Sequence, residues 1–248
     1  MGVSTFAWTV ALLLSIARQD DAQDFAPSHH IVLFAPGIAS QGRGPGDDMA
    51  MRAQKTCLRH GCRVRQVYRL LPGMAIEGGR IGGIRRDPEI RQVYPDARVH
   101  FTPDASPVMG APPSSLLAYI GPALDRERLQ VERTSDFLSE TTVSPALREA
   151  ATQLVEAYAH RSSNARLWSL RVVGVTGAGR LSDVLAAVDI LWRDRRSVGA
   201  TYIPLAVTGS DLSLLCAFFD AALSQGMLLL TSMDAACPVL SVPSLPHR

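Results

Sequence analysis

The hydrophobic and polar positions of this chain change rhythm several times. HIVLFA, residues 30–35, is a short β-type run, and PGIASQGRGPGDD after it reads as loop. Asp47 or Asp48 is placed to cap a helix over DMAMRAQKTCLRHG, which Gly61 closes. CRVRQVYRL alternates with period two, the mark of a half-buried strand. LLPGMAIEGG predicts a turn and a strand, RIGGIRRDPEI a short helix weakened by Gly82 and Gly83, and RQVYPDARVHF a last strand. The predicted order is β-α-β-β-α-β, the ferredoxin-like plan, over residues 28–102.

TPDASPVMGAPPSS, residues 102–115, is rich in Pro and Ser and marks a linker over 103–115. Beyond it, over 116–248, strands and helices alternate. SLLAYIG predicts a buried strand, and DRERLQVERTSDFLSE is a charged stretch. SPALREAATQLVEAYAHR is a helix with Ser144 as cap and Pro145 in its first turn. ARLWSLRVVGV is a strand, SDVLAAVDILWRD a helix with Leu181, Val184, Leu185 and Val188 on one face, and ATYIPLAV a strand. DLSLLCAFFDAALSQG is a helix closed by Gly226, with Phe218 and Phe219 read as core; MLLLTS is a strand and CPVLSVPSLPHR is irregular. This alternation predicts a parallel α/β sheet of right-handed units.

With 248 residues and 47% hydrophobic positions, the chain can bury a real core. A net charge of +2 makes no general case for nucleic acid or anionic membrane as partner. Arg85-Arg86 and Arg193 to Arg196 read as solvated surface. Phe6 to Ala17 is an apolar run of signal-peptide length, followed by the small residue Ala22. It is too short to span a membrane and lacks a basic leader; we read 1–22 as a signal peptide and expect secretion, against an ordinary buried helix. The four cysteines, Cys57, Cys62, Cys216 and Cys237, permit two disulfides in three connectivities; chain order favours Cys57–Cys62 and Cys216–Cys237. The C-x4-C around His60 has poor zinc spacing and no second ligand pair, so neither metal nor other cofactor is expected.

VVGVTGAGRLSDVLAAVDIL invites a phosphate-loop reading. The third glycine of a dinucleotide fingerprint is absent after Gly177-Ala178-Gly179, and Gly199 stands where an acidic ribose ligand belongs. No Gly-Lys-Ser/Thr ends the loop. Spacing alone leaves a tight strand-to-helix turn.

Joined to their neighbours, ARLWSLRVVGVTGAGRLSDVLAAVDIL and PLAVTGSDLSLLCAFFDAALSQGMLLLT resemble the subtilisin-like serine proteases, on their proteinase K side. HIVLFAPG, LLPGMAIEGG and IRRDPEIRQVYPD resemble the inhibitor-I9 propeptide that precedes such proteases. The "LLPG" turn, the "SLRV" strand and the positions of Cys216 and Cys237 are similar to those of a proprotein-convertase member. The resemblance implies a ferredoxin-like propeptide domain followed by a partial subtilisin-like α/β domain. It also implies a substrate cleft that holds an extended peptide by β-augmentation, with Gly177, Ala178 and Gly179 as one wall and Leu205, Ala206 and Val207 as the other.

The family's catalytic pattern is broken here. Its chemistry needs Ser, His and Asp, with an Asn helping to stabilise the oxyanion. Gly121 falls at the Asp position, with Asp125 past the turn, and Ala150 falls at the His position, with His160 further along the helix. Ser232, Met233 and Asp234 follow the strand where the Asn belongs. Ser232 lies in LLTSMDAA and is a weak nucleophile candidate: Leu230 replaces the motif's Gly, and the family places its Ser far beyond this strand, where the chain has already stopped. A propeptide cut after Thr102 would leave Pro103 next to the scissile bond, a poor arrangement. Asp136, His160 and Ser210 could be drawn as an unrelated triad, but any chain this long offers such a set. The expectation is a secreted, non-catalytic subtilase homologue that binds a protein or peptide, such as a protease or a lipoprotein-receptor-type ectodomain. The alternatives are an active serine endopeptidase with its catalytic part misread or in a longer isoform, and a truncated product without a stable fold.

Overall fold

In a computed structural model, residues 29–36, 45–103, 116–140, 142–159, 166–208 and 212–231 are described. Strand β1 (His29–Phe34) uses both faces of its apolar run. Ile31 and Leu33 are buried on one side of a sheet, Val32 and Phe34 on the other. With β2 (Cys62–Tyr68), β3 (Gly73–Gly78) and β4 (Ile90–Pro95) it forms a four-stranded sheet in the order β2-β3-β1-β4, every neighbouring pair antiparallel. Helix α1 (Pro45–His60) carries the chain from β1 to β2 and leaves a gap that β3 fills. This is the expected ferredoxin-like topology.

Helix α1 begins before the expected Asp47/Asp48 cap, because Pro45 already has the φ of a first helical turn. It ends at Gly61, whose φ of +68° only glycine adopts freely. A Cys57–Cys62 disulfide ties its last turn to the start of β2. The second helix, α2 (Ile81–Ile84), is a single turn.

The expected last strand, 91–101, is two strands. Pro95 cannot donate to a ladder, and after Asp96 the chain leaves the first sheet as β5 (Arg98–Phe101), which belongs to another sheet. The expected strand ATYIPLAV divides in the same way at Pro204, into β10 (Val198–Ile203) and β11 (Leu205–Thr208).

The second half holds an all-parallel five-stranded sheet in the order β12-β10-β6-β8-β7. Its members, with β10, are β6 (Leu116–Gly121), β7 (Val131–Asp136), β8 (Arg166–Arg171) and β12 (Leu229–Thr231). Every residue of β6 is buried, as a central parallel strand covered on both faces requires. Strand β7 lies inside the stretch read only as charged; it is an edge strand of mostly outward polar residues, so no apolar run announces it. The helices are α3 (Pro145–Ala159), α4 (Leu181–Arg193) and α5 (Ser213–Ser224). The Ser144 hydroxyl accepts the Leu147 N–H at 3.4 Å, the cap expected for α3.

The layers enclose three buried clusters among the described residues. Leu117, Tyr119 and Leu167 face α3 residues Ala151 and Val155. On the other side Leu116, Ala118, Ile120 and Leu170 join Val184, Val188, Phe218 and Phe219 of α4 and α5, and the same cluster takes in Ile31, Leu33, Tyr68 and Tyr94 of the first sheet. Tyr68 meets Phe218 edge-on at 5.7 Å, and its hydroxyl donates to the Ser182 carbonyl at 3.0 Å. The sheet of the first half is thus buried on both faces, by α1 and by the helices of the second half.

Polar contacts fix this seam. No side chain of the residue before α4 caps that helix. Asp96 caps it instead: its carboxylate accepts the Ser182 N–H at 2.9 Å and hydroxyl at 2.7 Å, while the Leu181 N–H donates to the Ala97 carbonyl at 2.9 Å. Further along α4, Asp189 accepts the Arg69 and Leu70 N–H groups at 2.6 and 2.7 Å. Removing the Asp96 carboxylate leaves buried donors without an acceptor. Asp96→Ala should cost about 2 kcal/mol and lower Tm by roughly 4–8 °C in scanning calorimetry; an unchanged melt would show that the seam does not depend on this cap.

Candidate peptide-binding cleft

The glycine-rich segment builds a strand edge. The chain leaves β8, and Gly174 to Gly177 turn it back, with the Gly174 N–H donating to the Ala178 carbonyl at 2.9 Å and Gly177 at φ +79°. Strand β9 (Ala178–Arg180) follows. A Cβ on Gly179 would stand 2.1 Å from the Val172 carbonyl oxygen, so glycine is required for β9 to fold back on the end of its own preceding strand. Close approach of a peptide is the lesser constraint: the nearest β5 atom, Val99 Cγ2, would be 3.2 Å away.

Three strands form this small sheet, in the order β11-β5-β9. Strand β5 runs antiparallel to both neighbours. Arg98, Val99 and His100 pair with Arg180, Gly179 and Ala178. On the other side Phe101, His100, Val99 and Arg98 pair with Leu205, Ala206, Val207 and Thr208. The Phe101 N–H donates to the Gly177 carbonyl at 3.0 Å and the Thr102 N–H to the Pro204 carbonyl at 3.0 Å. The two segments expected as cleft walls therefore stand one strand apart, and the chain's own residues 98–101 lie between them. Val99 is fully buried, and Phe101 packs against both core clusters on either side of the parallel sheet.

The positions expected to carry chemistry are placed as follows. Gly121 ends β6; a Cβ there would come 2.5 Å from the Tyr119 hydroxyl and 2.7 Å from its ring. Tyr119 is buried beside Tyr202, its hydroxyl has no hydrogen-bond partner among the described residues, and burial pushes its pKa well above the usual tyrosine value. Ala150 is half-buried on α3. Asp125 accepts the Glu127 N–H at 2.9 Å in a local turn. Asp136 pairs with the buried Arg171 at 3.0 Å, and Arg171 also donates to the Glu140 and Thr142 carbonyls, holding the segment after β7. Asp136 thus has an ion-pairing role. A cavity of about 520 Å³ beside these strand ends is lined by Asp125, Ser135, Asp136, Arg148, Ser169 and Arg171. Ser232, Cys237, His160 and Ser210 lie outside the described residues.

The His60 Nε2–H donates to the Asp87 carboxylate at 2.8 Å, and Arg59 pairs with the same carboxylate. Asp87 is buried; burial pulls its pKa upward, but the bonds from His60, Glu89 N–H and Arg59 prevail and hold it below the usual value. This cluster ties α1 to the turn before β4 and lies on the face of the first sheet away from the cleft. Among the described residues no group of three or more His, Cys, Asp or Glu side chains is arranged to hold a metal ion, and no helix is long and apolar enough to cross a membrane.

Sequence reading missed the seam carboxylates Asp96, Asp183 and Asp189. The available signal was acidic residues on a helix whose neighbours are apolar: ten of the residues of α4, including Asp183 and Asp189, are buried. Burial pushes Asp183 up to about 7, opposed by Arg65. Burial also raises Asp96, opposed by its bonds to Ser182.

No family model matches the chain, and no curated protein matches it in sequence. Solved structures similar to the chain include two proteases. Fervidolysin from Fervidobacterium pennivorans, a keratinolytic enzyme related to subtilisin, superposes with a TM-score of 0.50 at 11% identity, covering 83% of this chain and 39% of its own. The epidermin leader peptide processing serine protease of Staphylococcus aureus gives a TM-score of 0.48 at 10% identity, covering 82% of this chain and 59% of its own. The chain thus spans 39% and 59% of the proteins it resembles. The likeness to fervidolysin defines the class of fold: the parallel sheet with its flanking helices is a partial subtilisin-like α/β fold.

Two outcomes follow from this geometry. Gly179→Ala drives a Cβ into a backbone oxygen that cannot yield and should cost about 3 kcal/mol; hydrogen exchange should show faster opening of the Phe101 and Thr102 amides, and unchanged protection would mean β9 does not hold β5. Separately, folded Asp183 binds a proton near pH 7 that the unfolded chain does not. Stability should therefore rise as pH falls from 8 towards 5, with a slope approaching about 1.4 kcal/mol per pH unit, and Asp183→Asn should flatten that slope.

Proposed function

We propose that this chain is a non-catalytic subtilisin-like protein that works by holding extended polypeptide between β9 and β11. The observation that carries the reading is the double antiparallel pairing of residues 98–101 with both walls, which is peptide recognition by strand addition using the chain's own segment as ligand. The side chains seated in it give the pattern the cleft prefers: apolar at alternate positions, as in Val99 and Phe101.

The loss of chemistry rests on the residues at the family positions. Gly121 and Ala150 offer neither an orienting carboxylate nor a base, and removing triad members leaves only the slow residual catalysis of binding groups. The buried Tyr119 ring occupies the space into which a side chain at 121 would first extend. Ser232 is then an ordinary serine.

In this reading the first half is an inhibitor-I9-like propeptide domain that stays docked. A functional analogue in this reading is the ninth proprotein convertase, the secreted regulator of the LDL receptor, and the partner is a protease or a lipoprotein-receptor-type ectodomain. The apolar run at residues 6–17 and the Cys57–Cys62 disulfide support a secreted protein. A second reading, an active serine endopeptidase, is favoured by one observation: both peptide-pairing walls of the cleft are kept.

A fluorophosphonate probe decides between them. The purified protein and Ser232→Ala should both stay unlabelled while melting cooperatively; labelling of the unaltered protein alone would make Ser232 a nucleophile. In a binding assay, the Val99→Ala, Phe101→Ala double variant should release β5 and take up a fluorescent peptide of residues 96–103 that the unaltered protein excludes. If the released cleft ignores the peptide, binding by strand addition is wrong.

A further inference from the structure

A second cavity, of about 670 Å³, lies at the seam between the halves. One side is the edge of β2 from Arg63 to Gln66, with His29 and Glu77; the other is the turn before β9 and residues 138–140. Asp183 lines it. That side chain is only 1% exposed, yet neither of its carboxylate oxygens accepts a hydrogen bond among the described residues. The nearest cation, Arg65, stands 4.0 Å from Oδ1, beyond hydrogen-bond reach. A buried carboxylate without donors is costly unless something supplies them.

Three ion pairs described around it are long. His29 and Arg63 stand 3.8 and 3.9 Å from Glu77, and Arg180 stands 4.0 Å from Asp96. Elsewhere in the same half His60 and Asp87 close to 2.8 Å. Charge is matched across the cavity but not at Asp183: Asp183, Glu77 and Glu140 line it opposite Arg63, Arg65 and Arg180, while burial and then the neighbouring arginines lower the His29 pKa. No described cation reaches the Asp183 carboxylate to hydrogen-bond it. The absence of three converging metal ligands among the described residues points to a nitrogen donor rather than a metal ion.

We propose that this seam cavity binds a cationic nitrogen donor, a guanidinium or primary ammonium group, on the Asp183 carboxylate. The donor supplies the hydrogen bonds that the Asp183 carboxylate lacks among the described residues. It rests against the back of the turn whose following strand, β9, holds β5, so occupancy firms the cleft wall. This holds whether or not the chain is catalytic. The group can come from a small free amine or from the Arg or Lys side chain of a protein partner.

Isothermal titration of the purified full chain at pH 8 with methylguanidinium, and with neutral N-methylurea as control, tests this. A saturable heat is expected for methylguanidinium and none for the urea. Affinity should fall at least tenfold in Asp183→Asn, which removes a buried charge and is expected to keep its cooperative melt. Glu140→Gln, at an exposed position, should weaken binding a few-fold and keeps the test open if the first variant does not fold. Lowering the pH to 6 should weaken binding, because a proton on Asp183 competes with the ligand; the charged groups facing it are Arg65, Asp96 and Arg180. Free L-arginine binding as tightly as N-acetylarginine amide would identify a small-molecule site, and a preference for the amide would identify a partner's side chain. No saturable heat, equal binding of the urea, or binding unchanged in Asp183→Asn would overturn the proposal.

Discussion

Residues 96–102 are where the two halves of this protein become one structure. In that short run Asp96 caps α4, the Ala97 carbonyl takes the next free N–H of the same helix, and Arg98 to Phe101 complete a sheet whose other two strands come from the second half. Thr102 closes the ladder on Pro204. Each of these groups would otherwise be an orphan: a helix N-terminus without a cap, and two strand edges without a neighbour. The constraint is mutual. Neither β9 nor β11 is paired across the cleft except through β5.

The apolar layers carry the same dependence. The first sheet buries one face under α1 and the other against α4 and α5, so separating the halves would expose Ile31, Leu33, Tyr68 and Tyr94 together with Phe218 and Phe219. Asp189 adds direction to an otherwise non-directional contact by taking two backbone N–H groups of the turn after β2. The seam is thus apolar in area and polar in register, which fixes how the ferredoxin-like sheet sits on the parallel one.

Fold and chemistry make separate demands on a chain. The strand ends of a parallel sheet are where such folds place their sites, and here they carry Gly121, an Asp125 spent on a turn, and an Asp136 spent on Arg171. The two strands beside β5 meanwhile pair with it through backbone groups. Backbone pairing asks only for extended chain and for glycine at one tight place, whereas catalysis asks for particular side chains at particular atoms.

The sequence by itself determined the local elements and their order. Period-two alternation in CRVRQVY, the cap at Ser144, the glycine stops at Gly61 and Gly226, and the apolar stripe of α4 each act within a few residues, and each forms as its pattern predicts. The pairing of Cys57 with Cys62 was legible for the same reason. Only the tertiary structure decided where strands end and what the buried acids do. Pro95 and Pro204 break two apparent strands so that β5 and β11 can join a sheet whose members lie far apart in the chain, and β7, an edge strand of polar residues, carries no apolar signal of its own. Asp96, Asp183 and Asp189 look like surface acids in sequence; their burial exists only once two halves meet, because the cap, the backbone donors and the low-dielectric surroundings all come from across the seam.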